Sequence, residues 1–89
     1  MKPLPDDFFS ADKARTELQI MRENEVQEFI DSGVKVAELE MFGNASITSH
    51  LEGYKKAVRR LVFRNKLEFR IRIRQKEGKV IAERKDEEW

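Results

Sequence analysis

Cysteine is absent from this chain, and histidine occurs once, as His50. No disulfide framework, thiolate nucleophile or cysteine-based zinc site can therefore be built, and a histidine metal site lacks ligands. No Gly-rich phosphate loop, nucleophile elbow or cluster of metal-ligand residues can be read. Both prolines fall within the first five residues. No apolar run resembles a signal peptide or approaches the length of a membrane span, so the expectation is a soluble, cytoplasmic chain. Glu83 and Lys85 share the Glu-x-Lys spacing of some metal-dependent nucleases, but no upstream aspartate partner can be identified. Such a pair arises by chance in any charged sequence, and the reading is of a protein that is not an enzyme, with no metal and no cofactor.

Charge is what the chain has in abundance. Charged and apolar residues each make up 39% of its 89 residues, enough apolar material for one modest core. The formal net charge is only +1, yet its distribution is lopsided. Residues 1–53 hold five Lys/Arg against eleven Asp/Glu, and residues 54–89 hold thirteen against six. The halves are opposite poles of one molecule, and such a chain can meet a polyanion, an acidic partner or a second copy of itself.

Periodicity supplies the elements. Met1–Pro5, with its prolines, reads as an extended arm. A first helix follows, capped by Asp6, Asp7 or Ser10, with Ala14, Leu18, Met21, Val26, Phe29 and Ile30 on a broad apolar face. Gly33 ends it in a left-handed turn. Its outer face carries Glu17, Glu23, Glu25 and Glu28, read as a solvated surface or as a patch that repels nucleic acid. Val34–Phe42 fits either a short strand or a short helix, since alternation over so few residues cannot decide. Asn44, Ser46 and Ser49 are candidate caps for the next helix, with Ser49 and Glu52 spaced as a capping box. Ile47, Leu51, Tyr54, Val58 and Leu61 make that helix's apolar stripe, and Gly53 permits a kink. Leu67, Phe69, Ile71 and Ile73 then alternate with Glu68, Arg70, Arg72 and Arg74, as in a strand buried on one face. Lys76-Glu77-Gly78 signals a turn, and Lys79–Lys85 returns as a second strand. The expected fold is a small single α+β domain over residues 6–85: an N-terminal helix, a short strand or helix, a basic helix and a C-terminal β-hairpin. Residues 86–89 read as a frayed tail that ends in Trp89.

The basic half is the most informative stretch. Between Lys55 and Lys76 ten cations face one acid, Glu68. Lys55, Lys56, Arg59 and Arg60 lie off or beside the helix's apolar stripe, and Arg70, Arg72 and Arg74 project in a row from one strand face. A row of like charges repels itself unless a ligand of opposite charge relieves it. Tyr54 and Phe63 could stack on bases, but their spacing reads Tyr54 as core and Phe63 as a packing residue at the helix end. His50 reads as a polar helix-start residue.

The run VAELEMFGNASITSHLEGYKKAVRRL, followed by LEFRIRIRQKEGKVIAER, resembles the recognition half of winged helix-turn-helix DNA-binding proteins. Ala37 and Ile47 sit ten apart, like the small and aliphatic packing positions of that motif. The layout also resembles that of small phage and mobile-element proteins, which implies no activity. The winged-helix resemblance implies binding of double-stranded DNA. It would place Ser46, Thr48 and Ser49, with His50 as a further candidate, toward base edges. Lys55, Lys56, Arg59, Arg60 and Arg64 of the helix, with Arg70, Arg72 and Arg74 of the wing, would meet phosphates. The sequence is better supplied with phosphate-type contacts than with base readers, so nonspecific binding is at least as well supported as sequence-specific regulation. The alternative is a protein-interaction module, such as a mobile-element inhibitor or adaptor, that docks its basic face on an acidic partner. Uncovered apolar surface on so small a domain also raises the expectation of a homodimer.

Overall fold

The computed structural model describes the backbone of residues 6–85 and the side chains of residues 16–85. Two helices and three strands follow one another as α1 (Asp6–Ser32), β1 (Val36–Leu39), α2 (Ile47–Asn65), β2 (Arg70–Lys76) and β3 (Lys79–Lys85). The strands form one antiparallel sheet in the order β1-β3-β2. This is the expected small α+β domain with its C-terminal hairpin. The ambiguous segment is a strand, so no helix lies between α1 and α2 and the short-helix alternative does not form.

The hairpin closes through Glu77 at φ 51° and Gly78 at φ 76°. Two consecutive left-handed residues match the right-handed twist of the flanking strands, and Lys76 pairs with Lys79 across the turn. The register sorts side chains by parity. Leu39, Ile73, Val80 and Ala82 face the helices and are buried. Arg70, Arg72 and Arg74 share the opposite face with Ile81, Glu83 and Lys85 of β3. Sequence alternation places β2 from Leu67, but the ladder begins at Arg70, and only Ile73 of its apolar set is fully buried.

Helix α2 supplies the centre of the core through Tyr54, Ala57, Val58 and Leu61, against Val26 and Phe29 of α1. Ser46 is its N-cap, accepting from the Ser49 backbone N–H at 3.2 Å. Ser49 therefore occupies the third helical position instead of capping a box with Glu52, and Glu52 pairs with Lys55 at 3.8 Å. Lys66 ends the helix in a left-handed conformation, its N–H bonded to the Val62 carbonyl.

Helix α1 corrects the sequence reading in two places. Ser10 lies inside the helix, whose first residue is Asp6. Met21 is exposed, and Arg22 takes the inward position with Val26 and Phe29, at helical spacings of four and three. Gly33 adopts φ 72° and stops the helix as expected. The arm at residues 1–5, the side chains of Asp6, Asp7 and Ala14, and the tail with Trp89 lie outside the described residues. Among the described residues, no helix is long and apolar enough to cross a membrane.

Candidate functional site

The cations of α2 fall on two sides of the helix, because neighbours in sequence are about 100° apart around its axis. Lys55, Val58 and Arg59 face β2, where with Ile71, Arg72 and Ile73 they line an open groove. A turn further on, Val58, Arg59, Val62 and Phe63 line a second groove with Phe69, Arg70 and Ile71. The two share Val58, Arg59 and Ile71, so they form one furrow between α2 and the outer strand β2. Its walls are aliphatic and aromatic, and its cations are Lys55, Arg59, Arg70 and Arg72. Among the described residues, β2 pairs only with β3, which leaves its other edge open beside this furrow.

Arg60 and Arg64 point the other way. They reach across α2 to α1, where Glu23 forms ion pairs with Arg60 at 3.5 Å and with Arg64 at 3.9 Å. Glu23 is thus turned into the helix interface instead of standing on an outer acidic face. Arg74 is held by Glu83 on the neighbouring strand at 2.7 Å, half-buried. The expected single basic surface is therefore divided. Lys55, Arg59, Arg70 and Arg72 border the furrow, with Lys55 also 3.8 Å from Glu52, while Arg60, Arg64 and Arg74 pair with carboxylates outside it. Lys56 is exposed on α2 but lines neither groove. Ser46, Thr48 and Ser49 are exposed at the start of α2, where Ser46 and Ser49 are engaged with each other. Phe63, expected to pack at the helix end, is 87% exposed at the furrow's rim. Phe69 is covered by the Arg84 guanidinium, 4.0 Å from its ring centre.

No family model, curated protein or solved structure matches this chain. Besides the furrow, a polar cluster joins α1 to α2.

That cluster is what the sequence reading missed. His50 is 1% exposed, so it does not reach outward beside Thr48. Its Nδ1 lies 3.3 Å from the Arg22 guanidinium, which also donates to Gln19 at 3.2 Å. A guanidinium has no lone pair to give, so Nδ1 accepts and the neutral ring carries its proton on Nε2. Burial, and then the nearby Arg22 charge, hold His50 below its ordinary pKa. Burial also lowers that of Arg22. Gln19 donates to the Gly53 carbonyl at 2.9 Å, binding α1 to α2. A Cβ on Gly53 would lie 2.6 Å from Arg22 Cδ, Nε and Cζ, so the glycine serves close approach and α2 runs through it without a break. Tyr54, buried as expected, donates to the Glu40 carbonyl, and its pKa is raised chiefly by burial. Glu25 is raised too, first by burial and then by Glu40 and Glu28. Arg22, on the same inward stripe as Val26 and Phe29, was the readable signal. Among the described residues no group of acids and histidines could hold a metal ion.

Proposed function

We propose that this protein binds nucleic acid through the furrow between α2 and β2. The observation that carries the reading is that Lys55 and Arg59 of the helix and Arg70 and Arg72 of the edge strand all border one open groove. Cations drawn from two elements onto one surface fit a phosphate backbone, which supplies affinity without sequence information. The helix start offers little for base readout, since Ser46 and Ser49 are already bonded to each other. The binding is therefore of the nonspecific, salt-sensitive kind. Fluorescence anisotropy of labelled random-sequence DNA at low and moderate salt tests it: micromolar or tighter affinity that collapses with salt is expected. No binding at low salt refutes it.

A second reading, docking on an acidic protein segment, draws support from the open edge of β2, where an extended chain could add as a further strand. An acidic peptide titrated in the same assay separates the two.

A further inference from the structure

Phosphate binding alone does not account for the furrow's walls. Val58, Val62, Phe63, Phe69 and Ile71 present an apolar trough, and Phe63 stands almost wholly in solvent at its rim. A duplex keeps its base faces stacked inside and offers such a trough nothing to bury. We infer that the ligand of this furrow is a single strand, with an unpaired base seated against Phe63 and its flanking phosphates on Arg59 and Arg70. The inference rests on the nucleic-acid reading and narrows the duplex expected from the sequence to a strand with accessible bases.

Three observations converge on it. Charge complementarity comes from Arg59 and Arg70, which line the same groove as Phe63 and make no ion pair among the described residues. Arg60, Arg64 and Arg74, by contrast, lie outside this groove and pair with Glu23 and Glu83, so the cations beside the apolar wall are Arg59 and Arg70. The aromatic group is placed for stacking: every base has a π-face, and stacking on an aromatic side chain tolerates any sequence. The chemistry recognised is thus a flat apolar ring joined to an anion. A second copy of the chain fits poorly, because pairing two β2 edges would bring two rows of arginine together.

The test uses the full chain with three labelled probes, a single-stranded oligonucleotide, its duplex and an acidic peptide, by anisotropy at low salt. The single strand is expected to bind at least tenfold more tightly than the duplex. Phe63→Ala should weaken single-strand binding by about five- to 150-fold, the range for loss of one stacked base, and should weaken duplex binding by less. Phe63→Tyr should restore it. Arg59→Gln with Arg70→Gln should weaken both nucleic-acid probes. Because Phe63 is so exposed, its variants fold, and circular dichroism checks this. Equal affinity for strand and duplex, with Phe63→Ala silent but the arginine variant weakened, overturns the inference and leaves the nucleic-acid reading standing. Absence of binding to either nucleic acid overturns both, and binding of the acidic peptide alone transfers the furrow to a protein partner.

Discussion

Replacing Gly53 by alanine should destabilise the fold, although alanine is the better helix former. The new Cβ would stand 2.6 Å from three atoms of Arg22. An arginine end can ordinarily move aside, but this one is buried and tied to Gln19 and His50. Displacing it forfeits two hydrogen bonds from a charged group, at about 1.5 kcal/mol each when taken at the low end because they are long. Alanine returns about 1 kcal/mol of helix propensity. The net loss is therefore about 2 kcal/mol, or a fall in Tm of about 8–16 °C for a domain of this size. Urea unfolding followed by far-ultraviolet circular dichroism measures it. The decisive comparison is the same change in an Arg22→Ala background, where the space is vacated and alanine should stabilise by about 1 kcal/mol. A Gly53→Ala protein as stable as its parent would refute the reasoning, since Arg22 would then be free to leave the interface at no cost.

Acidification should weaken the fold through His50. Its pKa is depressed in the folded state, so the unfolded chain binds the proton more readily. The stabilisation is complete above the unfolded value of about 6.5 and is lost as pH falls toward the folded one. Urea midpoints at pH 7.5 and 5.5 compare the two states, and His50→Gln should reduce the difference. Tyr54→Phe removes the bond to the Glu40 carbonyl and should cost about 1 kcal/mol, more if that carbonyl stays dry. In binding, the slope of log K against log salt should fall in magnitude by about 0.7–0.9 for each of Arg59 and Arg70 replaced by glutamine. A slope unchanged by these replacements would remove them from the phosphate path.

The elements were legible wherever one periodicity ran long enough to dominate. Alternation through Ile71 and Ile73, a turn signal at Glu77-Gly78 and a second alternating run at Lys79–Lys85 define the hairpin, and the structure follows them. Stepping by three and four defines α2, and Tyr54 is buried where that stepping puts it. Val36–Leu39 could not be assigned from four residues, because its strand character comes from pairing with β3, a partner more than forty residues away. The site was half legible. Local spacing places Lys55 and Arg59 on one side of α2 and Arg60 on another, but composition counts all of them alike. What separates them is Glu23, a residue of a different helix. The cluster of Arg22, His50 and Gly53 was hidden for the same reason: a polar residue on an inward stripe makes sense only once its partner is known. Phe63 misled because apolar character was taken to mean burial, and apolar atoms make up much of any protein's surface.

The unpaired edge of β2 has a bearing on how the protein behaves in concentrated solution. Open edges are templates for runaway strand addition, and charged residues along a strand, such as Arg70, guard against it by repulsion between molecules. The guard is electrostatic, so its strength is set by the medium. Salt screens it, and a short multivalent anion that bridges arginines of two molecules would cancel it outright. Replacing this charge with neutral residues should therefore expose a seam along which the molecules can polymerise, and the charge that holds the chains apart is the same charge that borders the furrow.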